Sequence, residues 1–131
     1  MPFSLPVLAT PLAIVRLPVD DGLPWWAASS TLLSLTRTPD ETSIVCDEDR
    51  VPASVVAARG YRALCVAGRI PLDAIGVLAW LATPLAAARV PIFVISTFDT
   101  DYILVPGAQL DIAIKVLQEA GHSVKMGSES I

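Results

Sequence analysis

A chain of 131 residues with a net charge of -4 has room for one compact unit, or for two small halves. Its hydrophobic share of 53% and charged share of 17% exclude a disordered chain and fit a sheet covered on both faces or a surface that meets a partner. Nine scattered Lys and Arg argue against nucleic acid, because phosphate neutralisation needs clustered cations.

Residues 1–15 carry no charge, but Pro2, Pro6 and Pro11 and the lack of a basic start read against a secretory signal. The uncharged run 74–88 is shorter than the roughly 20 residues of a spanning helix. A cytoplasmic protein with no membrane partner is expected. Residues 12–17 read as a strand, followed by a Pro, Asp and Gly loop over 18–24 and a short helical turn over 25–30. Strands at 32–37 and 42–46 flank the turn residues Thr38-Pro39-Asp40-Glu41. Asp47-Glu48-Asp49 reads as a solvated acidic loop, 51–59 as a short helix ending at Gly60, and 61–66 as a strand.

Asp73 is the expected N-cap of a helix whose face is Ile75, Leu78, Leu81, Ala82 and Leu85. Pro84 within it predicts a kink after Trp80, or two abutting helices. Two apolar strand segments, 92–95 and 102–105, flank the polar centre Ser96-Thr97-Phe98-Asp99-Thr100-Asp101, which must be a turn or a binding edge. Leu110, Ala113, Ile114 and Leu117 share a helix face that stops at Gly121, and 123–126 makes a final strand before a frayed tail at 127–131. Cys46 and Cys65 sit in apolar runs without histidine or a third thiol nearby, so buried, reduced thiols and no metal or cofactor are expected. Trp25, Trp26 and Trp80 read as core or subunit-interface residues.

Thr38-Pro39-Asp40 followed by Ser43-Ile44-Val45 echoes Thr97-Phe98-Asp99 followed by Tyr102-Ile103-Leu104 at one constant offset. Each copy leads into a loop, a helical segment, a glycine and a strand. The second half is therefore a βαββαβ unit, an antiparallel four-stranded sheet with two helices on one face, and the first half a shortened version of it. The fold class is α+β: residues 1–11 form an N-terminal extension, 12–66 a first unit with shortened helices, and 61–126 a second unit, the two sharing a boundary strand. Ile92 and Val94 alternate with Phe93 and Ile95, so both faces of the second sheet need cover, and a homodimer is expected.

Three segments, LSLTRTPDETSIVC at 33–46, PLDAIGVLAWLATPLA at 71–86 and VPIFVISTFDTDYILVP at 90–106, give the chain a resemblance to a known family. From 12 to 124 it resembles the small bacterial proteins built from tandem ACT domains, related to the regulatory ACT segments of aspartate kinases and to the CASTOR arginine sensors of animals. The resemblance implies two ferredoxin-like ACT units side by side, and amino-acid binding for regulation with the ligand held between ACT units.

A zwitterionic ligand needs donors for its carboxylate and acceptors for its ammonium. Backbone amides around Ile75, Gly76 and Val77, in the first turn opening at Asp73, would supply the donors, with Gly76 allowing close approach. Asp99 or Asp101 would accept from the ammonium, within the edge formed by Ser96, Thr97, Phe98 and Thr100. Each of these residues also has a plain structural role as turn former, cap or packing glycine. The alternative is an interaction module without a ligand, partnering a metabolic enzyme. Catalysis is not expected: His122 is the lone histidine, beside the helix stop, and no phosphate-binding glycine loop is present.

Overall fold

The structure, a computed structural model, describes residues 2–127. The chain forms two compact units, Thr10–Tyr61 and Met1–Ala9 with Arg62–Ile131.

In the first of these, β2 (Leu12–Leu17), β3 (Ser34–Arg37), β4 (Thr42–Asp47) and the start of β5 (Ala58–Cys65) pair antiparallel in the order β3-β4-β2-β5. Strand alternation puts Ala13, Val15, Ile44 and Cys46 on one face, where they form a core with Ala27 and Val51. This is the strand order of a ferredoxin-like unit, but single 3-10 turns at Trp25–Ala27 and Glu48–Arg50 stand where its helices would be. The helix expected over 51–59 does not form. Pro52 interrupts it, a turn closes from Val55 N–H to the Pro52 carbonyl, and the Arg59 guanidinium donates to the carbonyls of Pro52 and Val55 at 2.9 and 3.1 Å.

The acidic loop is also not simply solvated. Asp47 closes β4 in a buried position, where its carboxylate accepts from the amides of Thr31 at 2.7 Å and Leu32 at 3.3 Å. Glu48 accepts from the Gly60 amide, leaving Asp49 as the exposed member.

The other unit contains β1 (Ser4–Val7), the end of β5, α1 (Val77–Ala87), β6 (Phe93–Ser96), β7 (Asp101–Pro106), α2 (Leu110–Glu119) and β8 (Ser123–Met126). Its strand order is β6-β7-β5-β1-β8. Within residues 1–11, expected as an extension, Ser4–Val7 instead supply a fifth strand to the expected four-stranded sheet. β1 lies parallel to β8 from Ser4↔Ser123 to Val7↔Met126 and antiparallel to β5 at Val7↔Leu64. The driving force is burial: Leu5 and Val7 alternate into the core with Leu64, Val66, Ile103 and Val105. The prolines that obscured this strand include Pro6 within it, opposite Lys125.

Leu81 and Leu85 of α1 and Leu110, Ala113 and Leu117 of α2 cover that core. Ile92 and Val94 pack against it as the alternation predicts. Pro84 neither splits nor ends α1, which continues to Ala87. The expected N-cap is displaced: Asp73 is exposed, 71–74 closes as a turn from Ala74 N–H to the Pro71 carbonyl, and Gly76 caps the helix with φ 83°. That left-handed conformation suits a glycine. α2, the Gly121 stop at φ 100° and β8 follow the sequence reading. Residues 128–131 of the expected tail lie outside the described residues.

The internal echo extends to whole elements. β3 and β6, β4 and β7, and the 3-10 turns Glu48–Arg50 and Gly107–Gln109 are each displaced by 59 positions, from Ser34 to Phe93, Thr42 to Asp101 and Glu48 to Gly107. The repeat ends after that turn, where one copy continues into α2 and the other into Pro52. No helix among the described residues is long and apolar enough to cross a membrane.

Candidate ligand-binding site

A cleft of about 310 Å³ opens between the start of α1 and the β6–β7 hairpin, entirely within the unit that contains both. Clefts at this size fall at the small end of the roughly 300–1,000 Å³ typical of small-molecule sites. On one wall the start of α1 lines the opening with Gly76, Val77, Leu78 and Ala79. Trp80 N–H is the first to reach back, to the Gly76 carbonyl at 3.1 Å, and no side chain caps the helix. The preceding amides therefore lack intrahelical acceptors and carry the positive end of the helix dipole.

The opposite wall is the hairpin. Its backbone closes from Thr97 N–H to the Thr100 carbonyl at 2.8 Å, and the Thr97 hydroxyl oxygen accepts from the amides of Asp99 and Thr100 at 3.3 and 3.2 Å. Thr100 is buried and donates its hydroxyl to the Val66 carbonyl at 2.5 Å, anchoring the hairpin to the end of β5. Ser96 Oγ donates to Asp101 Oδ1 at 2.6 Å. A carboxylate has about four acceptor positions, so Asp101 keeps capacity for a ligand donor.

Gly76, Val77, Ser96, Thr97, Phe98, Thr100 and Asp101 thus converge on one cleft from positions far apart in the chain. Asp73, Ile75 and Asp99 do not line it. Ile75 is 96% exposed, and Asp99 sits on the turn tip with its carboxylate 3.1 Å from Arg69 Nε. Asp99 lines a neighbouring hollow of about 320 Å³ with Gly68, Arg69 and Tyr102. Sequence reading missed Ile70, Pro71, Leu72 and Ala74, which shape the cleft from a loop without periodicity. Their one available signal was the spacing of Gly68, Pro71 and Gly76.

A βαββαβ unit bearing a cleft at its first helix has the ferredoxin-like architecture of an ACT domain. Comparison with known proteins agrees: the ACT domain family matches residues 56–119, and a family described as an N-terminal domain matches residues 11–54. Residues 56–119 are therefore an ACT domain. A crystallised protein of Agobacterium tumefaciens is similar over 97% of this chain and 95% of its own, with 35% identity and a TM-score of 0.90. The human cytosolic arginine sensor for mTORC1 subunit 1 is 32% identical over 132 aligned positions, covering 89% of this chain. Only 40% of that relative is covered, so this chain spans about two fifths of its length. The regulatory subunit of aspartate kinase from Thermus flavus shares the fold at a TM-score of 0.63 and 10% identity, over 88% of this chain and 95% of its own.

Proposed function

We propose that this chain is an amino-acid-binding regulatory protein whose ligand occupies the cleft between α1 and the β6–β7 hairpin. One observation carries the reading: Val77, Leu78 and Ala79, whose amides have no intrahelical acceptor, and the acidic Asp101 line a single cleft, matching the two charges of an amino acid. The α-carboxylate sits on the amides of Val77, Leu78 and Ala79, and the ammonium donates to Asp101. Charge-assisted bonds less ordering costs give an affinity of roughly micromolar to millimolar, suited to following a metabolite pool. Descent shared with an arginine sensor supports amino acids as the ligand class.

In this reading binding is the output, passed to a separate enzyme, and the chain does no chemistry itself. Ile75, 96% exposed, and Trp80, 52% exposed, leave an apolar rim at the start of α1. A second copy of the chain covers that apolar rim and completes the enclosure between ACT units. Melting the protein with each of the twenty amino acids at millimolar concentration tests the reading, since a ligand of the native state raises Tm by mass action. Asp101→Ala should abolish the rise. A set of melts with no change for any amino acid would leave the ligand-free interaction module as the better account.

A further inference from the structure

Adjoining the cleft is a second hollow, of about 330 Å³, lined by Arg69, Ile70, Pro71, Leu72 and Phe98. Four of these residues, Ile70, Pro71, Leu72 and Phe98, also line the cleft, so the two hollows adjoin along a shared wall. The geometry points to this hollow as the side-chain subsite, selecting an amino acid with an apolar side chain; the inference rests on the proposed placement of the ligand's charged end in the cleft.

Leu72 and Phe98 are 72% and 70% exposed, large apolar groups held at the junction by the turn at 71–74 and by the hairpin tip. A branched aliphatic or aromatic side chain entering from the cleft removes water from both. No carboxylate among the lining residues faces this hollow. The nearby acid, Asp99, pairs with Arg69 at 3.1 Å and lines a different hollow, so a cationic side chain entering this one meets the guanidinium. An arginine or lysine ligand would place like charge beside Arg69. An anionic side chain would meet the cation but forgo the apolar contacts of Ile70, Pro71 and Leu72. On this assignment the ligand differs from that of the relative named as an arginine sensor.

The test titrates the full chain with leucine, isoleucine, phenylalanine, aspartate and arginine, by thermal melt and by calorimetry. Leucine, isoleucine or phenylalanine should bind roughly tenfold or more tightly than arginine or aspartate, the discrimination expected of an apolar pocket. Phe98→Asp, a change at an exposed turn position, should weaken the apolar ligand by roughly tenfold while the Tm of the free protein stays within a few degrees. Arginine or aspartate binding more tightly than all three apolar amino acids overturns the subsite assignment while leaving the amino-acid cleft standing. Binding by none of the five, with none among the remaining amino acids, overturns the cleft reading itself.

Discussion

Thr97 and Thr38 cap equivalent turns in the two halves of the chain. The Thr38 hydroxyl accepts from the amides of Asp40 and Glu41 at 3.1 and 3.2 Å, and its own N–H closes on the Glu41 carbonyl at 2.9 Å. Thr97 repeats all three bonds with Asp99 and Thr100. Only the later hairpin has a helix start opposite it, because the earlier half replaces that helix with the 3-10 turn Trp25–Ala27.

One ligand per chain is the first expected outcome. Calorimetry should give a stoichiometry near one, and Thr97→Val should weaken binding where Thr38→Val lowers only stability. Two equivalent sites would contradict the asymmetry of the halves.

Thr100→Val keeps the volume of a buried side chain and removes its bond to the Val66 carbonyl. Loss of a buried hydrogen bond with one partner left behind costs about 1–3 kcal/mol. A lower urea midpoint with an unchanged m-value would register it.

Gly76→Ala places a Cβ 4.0 Å from the Trp80 ring, an ordinary contact, so any penalty comes from the φ of 83°. A left-handed residue with a side chain costs about 1–2 kcal/mol. Gly76→Asn should lose less, since asparagine tolerates that region better. Equal stability of the alanine variant and the parent in a urea titration would contradict the strain.

Burial, with the adjacent Asp47 charge, pushes the Cys46 thiol from 9.0 up to about 11, against smaller opposing effects of Ser30 and Arg59. Burial also raises Cys65 and Tyr102. Above pH 9 the unfolded chain releases the Cys46 proton while the folded chain keeps it, so the unfolded state binds fewer protons and stability falls with rising pH. The contribution is fully present below pH 9 and lost through about pH 11. Urea midpoints at pH 8 and 10.5 should differ, and Cys46→Ser should reduce the difference. Thiol alkylation at pH 8 should be slow until denaturant is added.

Asp47→Ala strips the acceptor from the amides of Thr31 and Leu32. Hydrogen bonds to a charged group contribute about 1.5–3 kcal/mol each, so a Tm lower by several degrees is expected. An unchanged Tm would place the hold on residues 30–32 elsewhere, for example at the Ser30 hydroxyl that accepts from the Asp47 amide at 3.1 Å.

By itself the sequence determined what depends on neighbours along the chain. The apolar steps of Leu110, Ala113 and Leu117, the alternation through Ile92 and Val94, the Gly121 stop and the repeated Thr-x-Asp turn all act over a few residues, so their periods report them directly. What the tertiary structure alone decided involves partners far apart. β1 exists because β5 and β8, about 60 and 120 positions away, offer it edges and a core. Asp47 is buried because residues 30–32 bring amides to it. Among the acidic residues of the hairpin, Asp101 rather than Asp99 reaches the cleft. The two are two positions apart, and the turn closed by Thr97 and the position of Arg69 put one residue on the cleft wall and the carboxylate of the other in an ion pair.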